Sequence, residues 1–313
     1  MTAPDYQTLI DAETWAFIAR TDACYPPDTA SMGIADQRRI YDGMCRLFHQ
    51  GYPAGIGAQD SLIAGVPCRS YAGEGLAKTG PKVLYLHGGG FVVGGLDSHD
   101  DVCAEICAET GLTVVAADYR LSPEHDHPAA FDDAMAVACA LGEPILLVGD
   151  SAGGNLAAAV AHRLRGSDVR VLGQVLIYPG LGGDTGRGSY LTHAHAPMLT
   201  RDDVLFYAGI RHSGVVVQGD PTVSPLQDSD FSGLPPTVAI SAECDPLADD
   251  ARDYAAATRA AGGLAIWLQE PGLVHGYLRA RHSVARARLS FTRICTAISA
   301  LSKGEWPYDT EPK

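Results

Sequence analysis

The sequence is poor in aromatic residues, which make up 7% of its 313 positions. A core filled mainly by large rings is therefore excluded, and packing must rest on Ala, Val, Leu and Ile. Cations are also scarce: 23 Lys plus Arg stand against 37 Asp plus Glu, a net charge of −14. Nucleic acid and anionic membranes bind cationic faces, so neither is an expected partner. No apolar run reaches the roughly 18 residues of a membrane-spanning helix. The opening MTAPDYQTLIDAETW lacks a basic stretch followed by an apolar one. It does not read as a secretory signal, and a cytoplasmic location is expected. The eight cysteines include no CxxC pair and are expected to be reduced and packed. Cys103 and Cys107 lie at i,i+4 without a completing ligand nearby, and the pairs His125/His127 and His193/His195 read as loop residues. No metal and no organic cofactor is expected.

What is present is a globular composition, 46% hydrophobic, with 35 Gly and 19 Pro to make tight turns. The length suits one large α/β domain. The first fifty residues read as helical. Asp5 can cap a helix carrying Leu9, Ile10, Phe17 and Ile18, and a second helix fits Ile40, Met44, Leu47 and Phe48. SLIAGVPCRSYAG, from residue 61, reads as a β-hairpin. Short apolar runs follow at 83–86, 112–117, 145–148, 174–178, 237–241 and 265–268. Helix-length segments alternate with them at 97–110, 129–141, 152–164 and 246–261, with a last helix at 283–301. This alternation predicts βαβ units and a mostly parallel sheet. The segment 180–230 breaks the rhythm, with one helical candidate at 201–211. Together with residues 1–55 it is expected to form a cap over the carboxyl edge of the sheet.

Three loops carry chemistry. ILLVGDSAGGNLAAAV is a strand, a sharp turn and a helix, and Gly149-Asp150-Ser151-Ala152-Gly153 at the turn fits G-x-S-x-G. Side chains larger than glycine two positions either side of the serine would strike the adjacent strand and helix. The turn places the Ser151 hydroxyl at a helix N-terminus, where negative charge is favoured. A second strand runs into His87-Gly88-Gly89-Gly90-Phe91. Such glycines let amides converge on an oxyanion. The N–H groups of Gly88, Gly89 and Ala152 are assigned that role, Gly90 the turn, and His87 a bracing hydrogen bond.

A serine nucleophile needs a histidine base and an orienting carboxylate. Glu243, Asp245, Asp249 and Asp250 all follow the strand at 237–241. Asp245 is favoured because it precedes Pro246, which suits the start of a helix. His275 follows the final strand with Gly276 beside it, and His282 is the alternative.

These residues resemble the hormone-sensitive-lipase-like esterases of the α/β-hydrolase fold. HGGGF at 87–91, DYRLSPEHDHPAA at 118–130, GDSAGGN at 149–155, ECDPL at 243–247 and HGY at 275–277 carry the resemblance, which spans about 61–300. It departs from the family pattern at His127, Asp250 and Tyr277. The resemblance implies a Ser151–Asp245–His275 triad and a serine carboxylesterase acting on short- to medium-chain acyl esters. An amidase or formamidase would use the same triad. A non-catalytic receptor, like the plant gibberellin receptor, ranks lower because His275 is present. A small-molecule ester is the expected partner, and family analogy allows a homodimer. Phe91, Tyr190, Phe206 and Tyr207 are candidate pocket residues.

Overall fold

The computed structural model describes residues 4–73, 80–215 and 217–308. Residues 1–3 and 216, which fall in the two expected cap segments, lie outside the described residues, as do the ends of the expected 1–313 domain.

Eight strands form one sheet: β1 (Ile56–Ile63), β2 (Val66–Gly73), β3 (Lys82–Leu86), β4 (Thr113–Ala117), β5 (Ile145–Asp150), β6 (Val171–Ile177), β7 (Thr237–Cys244) and β8 (Ala265–Val274). Their order is β1-β2-β4-β3-β5-β6-β7-β8. The hairpin β1–β2 turns at Ala64-Gly65, both at positive φ, as a two-residue turn of this hand requires. It joins β4 antiparallel, and from β4 to β8 every pairing is parallel.

Parallel strands are buried on both faces, and the sequence supplies apolar residues for each. Val83, Tyr85, Leu146 and Val148 enter one core layer, and Leu84, Leu86, Ile145 and Leu147 the other. Burying one such Leu contributes about 1.5–3 kcal/mol. The first layer is closed by α4 (Asp100–Thr110) and α10 (Ala285–Ser302). The second is closed by α5 (Ala129–Ala140) and α6 (Ala152–Leu164), while α9 (Ala248–Ala260) packs on β7 and β8.

The N-terminal region differs from its expectation. It holds two helices, α1 (Tyr6–Leu9) and α2 (Ala12–Asp22), because Asp11 caps the second by accepting the Thr14 N–H. Helix α3 (Ile34–Phe48) follows and buries Met44 and Phe48, but leaves Leu47 exposed. In the segment 180–230 lie α7 (Ser189–Thr192) and α8 (Arg201–Arg211). The two segments meet where Tyr6 Oη and His193 Nδ1 are 3.1 Å apart. Strand β8 also runs further than expected, through Pro271 and Gly272. Its register with β7 slips there, and Glu243 holds the irregularity by accepting the Gly272 N–H at 2.7 Å.

Candidate active site

The candidate catalytic groups stand on loops at the carboxyl ends of β3, β5, β7 and β8. Ser151 follows β5 at φ 55° and ψ −118°, a strained conformation for a residue with a side chain. A Cβ on Gly149 would meet the Leu86 carbonyl oxygen at 2.8 Å, and one on Gly153 would overlap the Leu86 carbonyl. The strand and helix can therefore approach closely only with glycine at both places.

His275 begins the loop after β8. Its Nε2 is 2.9 Å from Ser151 Oγ, and its Nδ1 is 2.7 Å from Asp245 Oδ2. With Nδ1–H donated to the carboxylate, Nε2 is left to accept the serine proton. Asp245 is wholly buried, and its second oxygen accepts the Leu247 N–H at 2.9 Å. Both its oxygens are thus occupied, which fixes the carboxylate plane.

The rival acids and base have other partners. Glu243 holds the β8 irregularity. Asp249 accepts the Ser189 N–H at 2.9 Å, and the Ser189 hydroxyl donates to Pro246 O at 2.7 Å. Asp250 accepts the N–H groups of Leu181 and Gly183 and the Tyr190 hydroxyl. Burial pushes the Asp250 carboxyl up to about 7 against those donors. His282 sits near the surface, 2.8 Å from Glu105.

The oxyanion assignment requires a correction at Gly88. Its N–H donates to Asp150 Oδ1 at 2.9 Å and is not free for a ligand. Among the described residues, the N–H groups of Gly89, Gly90 and Ala152 have no acceptor. Positive φ at Gly89 (125°) and Gly90 (60°) turns the chain so that successive amides converge. His87 braces this loop, with Nδ1 2.7 Å from Gly88 O, and Tyr119 Oη donates to His87 O at 2.6 Å. Burial and the adjacent His99 push the His87 imidazole down to about 4, so it is neutral near pH 7.

Asp150 was not singled out by its sequence position, yet it organises the floor of the site. It is buried and also accepts the Tyr85 hydroxyl at 2.8 Å, with His99 Nε2 at 3.2 Å. Burial opposes its charge, but His99, Arg279 and Tyr85 outweigh burial and hold its carboxyl below the usual range. A carboxylate ending an otherwise apolar strand was the available signal, since buried charges require partners.

The four pocket candidates separate. Phe91 is buried beneath the Arg211 guanidinium, 3.6 Å from its ring centroid. Tyr190 is buried and its hydroxyl donates to Asp250. Phe206 is 41% exposed, on the outer side of α8. Tyr207 packs on the loop from α8, its ring lying where a Cβ on Gly90 would stand, 2.6 Å from that position. Cys103 and Cys107 are buried, and His127 Nε2 is 3.0 Å from Thr222 Oγ1. No helix among the described residues is long and apolar enough to cross a membrane.

The family description of the α/β-hydrolase fold matches residues 83–279, from the start of β3 past His275. This chain belongs to the α/β-hydrolase fold family. Similar members of known activity include carboxylesterase NlhH of Mycobacterium tuberculosis, 37% identical over 231 residues, which are 69% of this chain and 72% of that protein. Ethyl acetate hydrolase of Pseudomonas putida is 36% identical over 217 residues, covering 65% and 68%. Among solved structures of the fold, an esterase from the bacterial hormone-sensitive lipase family superposes with a TM-score of 0.83 at 27% identity, covering 92% of this chain and 98% of that one. DphMB1 superposes at 0.84 with 33% identity, covering 95% and 99%. Within the α/β-hydrolases, the chain's relatives are thus hormone-sensitive-lipase-like esterases, as its motifs indicated.

Proposed function

We propose that this protein is a serine carboxylesterase that hydrolyses short- to medium-chain esters with Ser151, His275 and Asp245 as its triad. The observation that carries the reading is the unbroken hydrogen-bonded chain Ser151 Oγ, His275 Nε2, His275 Nδ1, Asp245 Oδ2 at 2.9 and 2.7 Å. The names of the relatives support ester over amide substrates.

Ser151 Oγ attacks the acyl carbon while His275 Nε2 takes its proton. Asp245 fixes the imidazole tautomer and stabilises the imidazolium. The carbonyl oxygen becomes negative and is received by the N–H groups of Gly89, Gly90 and Ala152. A donor of this kind typically lowers the barrier by about 3–4 kcal/mol. His275 returns the proton to the departing alkoxide, and the alcohol leaves an acyl-serine. Water, deprotonated by the same histidine, then releases the acid. Residues 1–55 and 180–230 serve as the cap, with Tyr207 above the oxyanion loop. A homodimer, by family analogy, and a cytoplasmic location complete the proposal.

Replacing Ser151 with Ala tests it. Hydrolysis of p-nitrophenyl butyrate should fall to background while the circular-dichroism melt stays near wild type. Unchanged turnover would overturn the assignment.

A further inference from the structure

Asp150 holds the near end of the glycine loop through the Gly88 N–H. The far end is held by a side chain from the N-terminal segment. Arg38, on α3, reaches it with all three guanidinium nitrogens. Its Nε donates to Val92 O at 2.7 Å, and its Nη2 donates to Ser122 O at 3.0 Å. Nη1 and Nη2 also donate to the two oxygens of Glu124, at 2.9 and 2.6 Å. Such a bidentate carboxylate fixes the guanidinium plane, so both carbonyl contacts are held at once. Arg38 is half-buried and Glu124 exposed, and an ion pair in that setting contributes little by itself. The two carbonyls are what set this pair apart.

Val92 belongs to a tight turn that begins at Gly89. Gly89 O accepts the N–H groups of Val92 and Val93, each at 3.0 Å. A Cβ on Gly89 would stand 2.1 Å from Val93 O, so the turn is closed on itself. A trans peptide is planar, and its C=O and N–H point in opposite directions. The Val92 C=O and Val93 N–H therefore turn together, as do the Gly89 C=O and Gly90 N–H. One line of contacts runs from Arg38 Nε to Val92 O, then from the Val93 N–H to Gly89 O. It ends at the Gly90 N–H, which has no acceptor among the described residues. A second line reaches the same oxygen. Arg38 Nη2 holds Ser122 O, the Ser122 N–H donates to Phe91 O at 2.9 Å, and the Val92 N–H donates to Gly89 O.

We propose that Arg38 is a positioning residue for ester hydrolysis, setting the direction of the Gly90 N–H through two peptide planes. The inference rests on the ester-hydrolase reading above. The N-terminal segment then takes part in stabilising the oxyanion besides covering the site. A donor of this kind works only within about 0.5 Å and 10–20° of its productive geometry. Freed from Arg38, Val92 can shift, and the Gly89–Gly90 peptide plane turns with it. The competing role is a clamp on α3 that serves stability alone. It would lower the melting temperature and leave the rate constants in place.

Kinetics of Arg38→Met and Arg38→Lys on p-nitrophenyl butyrate, with thermal melts, separate these roles. Arg38→Met should lose about 10- to 100-fold in kcat, with KM near wild type. Arg38→Lys can reach one carbonyl and should recover part of that loss. It also decides the matter if Arg38→Met does not fold. Butylboronic acid supplies a second readout. Ser151 Oγ adds to its boron, and a boron-bound oxygen then stands where the oxyanion would. Its inhibition constant should rise by the same factor by which kcat falls. Wild-type kcat in a folded variant, or a loss carried by KM with boronate affinity unchanged, would overturn the proposal. In that case wild-type turnover leaves the esterase reading standing, and only the role of Arg38 falls. No turnover by wild type would overturn the esterase reading and this inference with it.

Discussion

The Gly88 N–H donates to Asp150 Oδ1 at 2.9 Å, so the residue preceding the serine holds the glycine loop that faces it. The turn that carries Ser151 and the glycine loop at 88–90 are thereby one hydrogen-bonded unit, with Tyr85 and His99 as its further members.

Removing that carboxylate should harm both stability and rate. Asp150→Ala leaves the Gly88 N–H and the Tyr85 hydroxyl unpaired in the core. The expected cost is about 3–5 kcal/mol in urea unfolding. Turnover of p-nitrophenyl butyrate should fall as well, because the loop loses its tether. Asp150→Asn keeps one acceptor oxygen and should lose less of each. Wild-type stability in the alanine variant would refute the tethering role.

Two glycine substitutions should have opposite signs. Gly153→Ala places a methyl group against the Leu86 and His87 carbonyls, which are backbone and cannot step aside. A loss of about 3 kcal/mol or more is expected. Gly209 lies within α8 and a Cβ there meets nothing within 4 Å. Gly209→Ala should gain about 0.5–1 kcal/mol. Thermal melts of the two proteins against wild type check both signs.

Asp250 gives a pH dependence of stability. Burial raises its carboxyl from 3.8 to about 7 in the fold. A raised pKa contributes stability that is complete below the unfolded value and is lost as pH rises through the folded one. Wild type should therefore lose about 2–3 kcal/mol relative to Asp250→Asn between pH 5 and pH 8. Urea titrations of the pair at the two pH values measure it, and a constant difference would exclude the effect.

The strand and helix order was legible because parallel strands need apolar residues on both faces, and few other segments offer runs such as Ile145–Val148. Ser151 and the glycines around it were legible because close backbone approach admits only Gly. Asp245 and His275 followed from their places after β7 and β8, and the structure sets them with Ser151 in one hydrogen-bonded chain. The choice among Gly88, Gly89 and Gly90 was not legible. It depends on which way each amide turns and on Asp150 having taken the first. The break at Asp11 was hidden because the apolar spacing of Leu9, Ile10, Phe17 and Ile18 continues across it. The partners of Phe91 and Tyr190 were not legible either, because Arg211 and Asp250, which pack on them, are distant in sequence.

The bonds between the acid loop and the segment after β6 bear on engineering. Ser189 and Asp249 cap each other, the Ser189 hydroxyl reaches Pro246 O, and Asp250 gathers Leu181, Gly183 and Tyr190. Residues 181–190 and 245–250 thus behave as one module split across the chain. A chimera that imports a relative's segment to alter selectivity would keep the Asp245 carboxylate in register only by importing both halves.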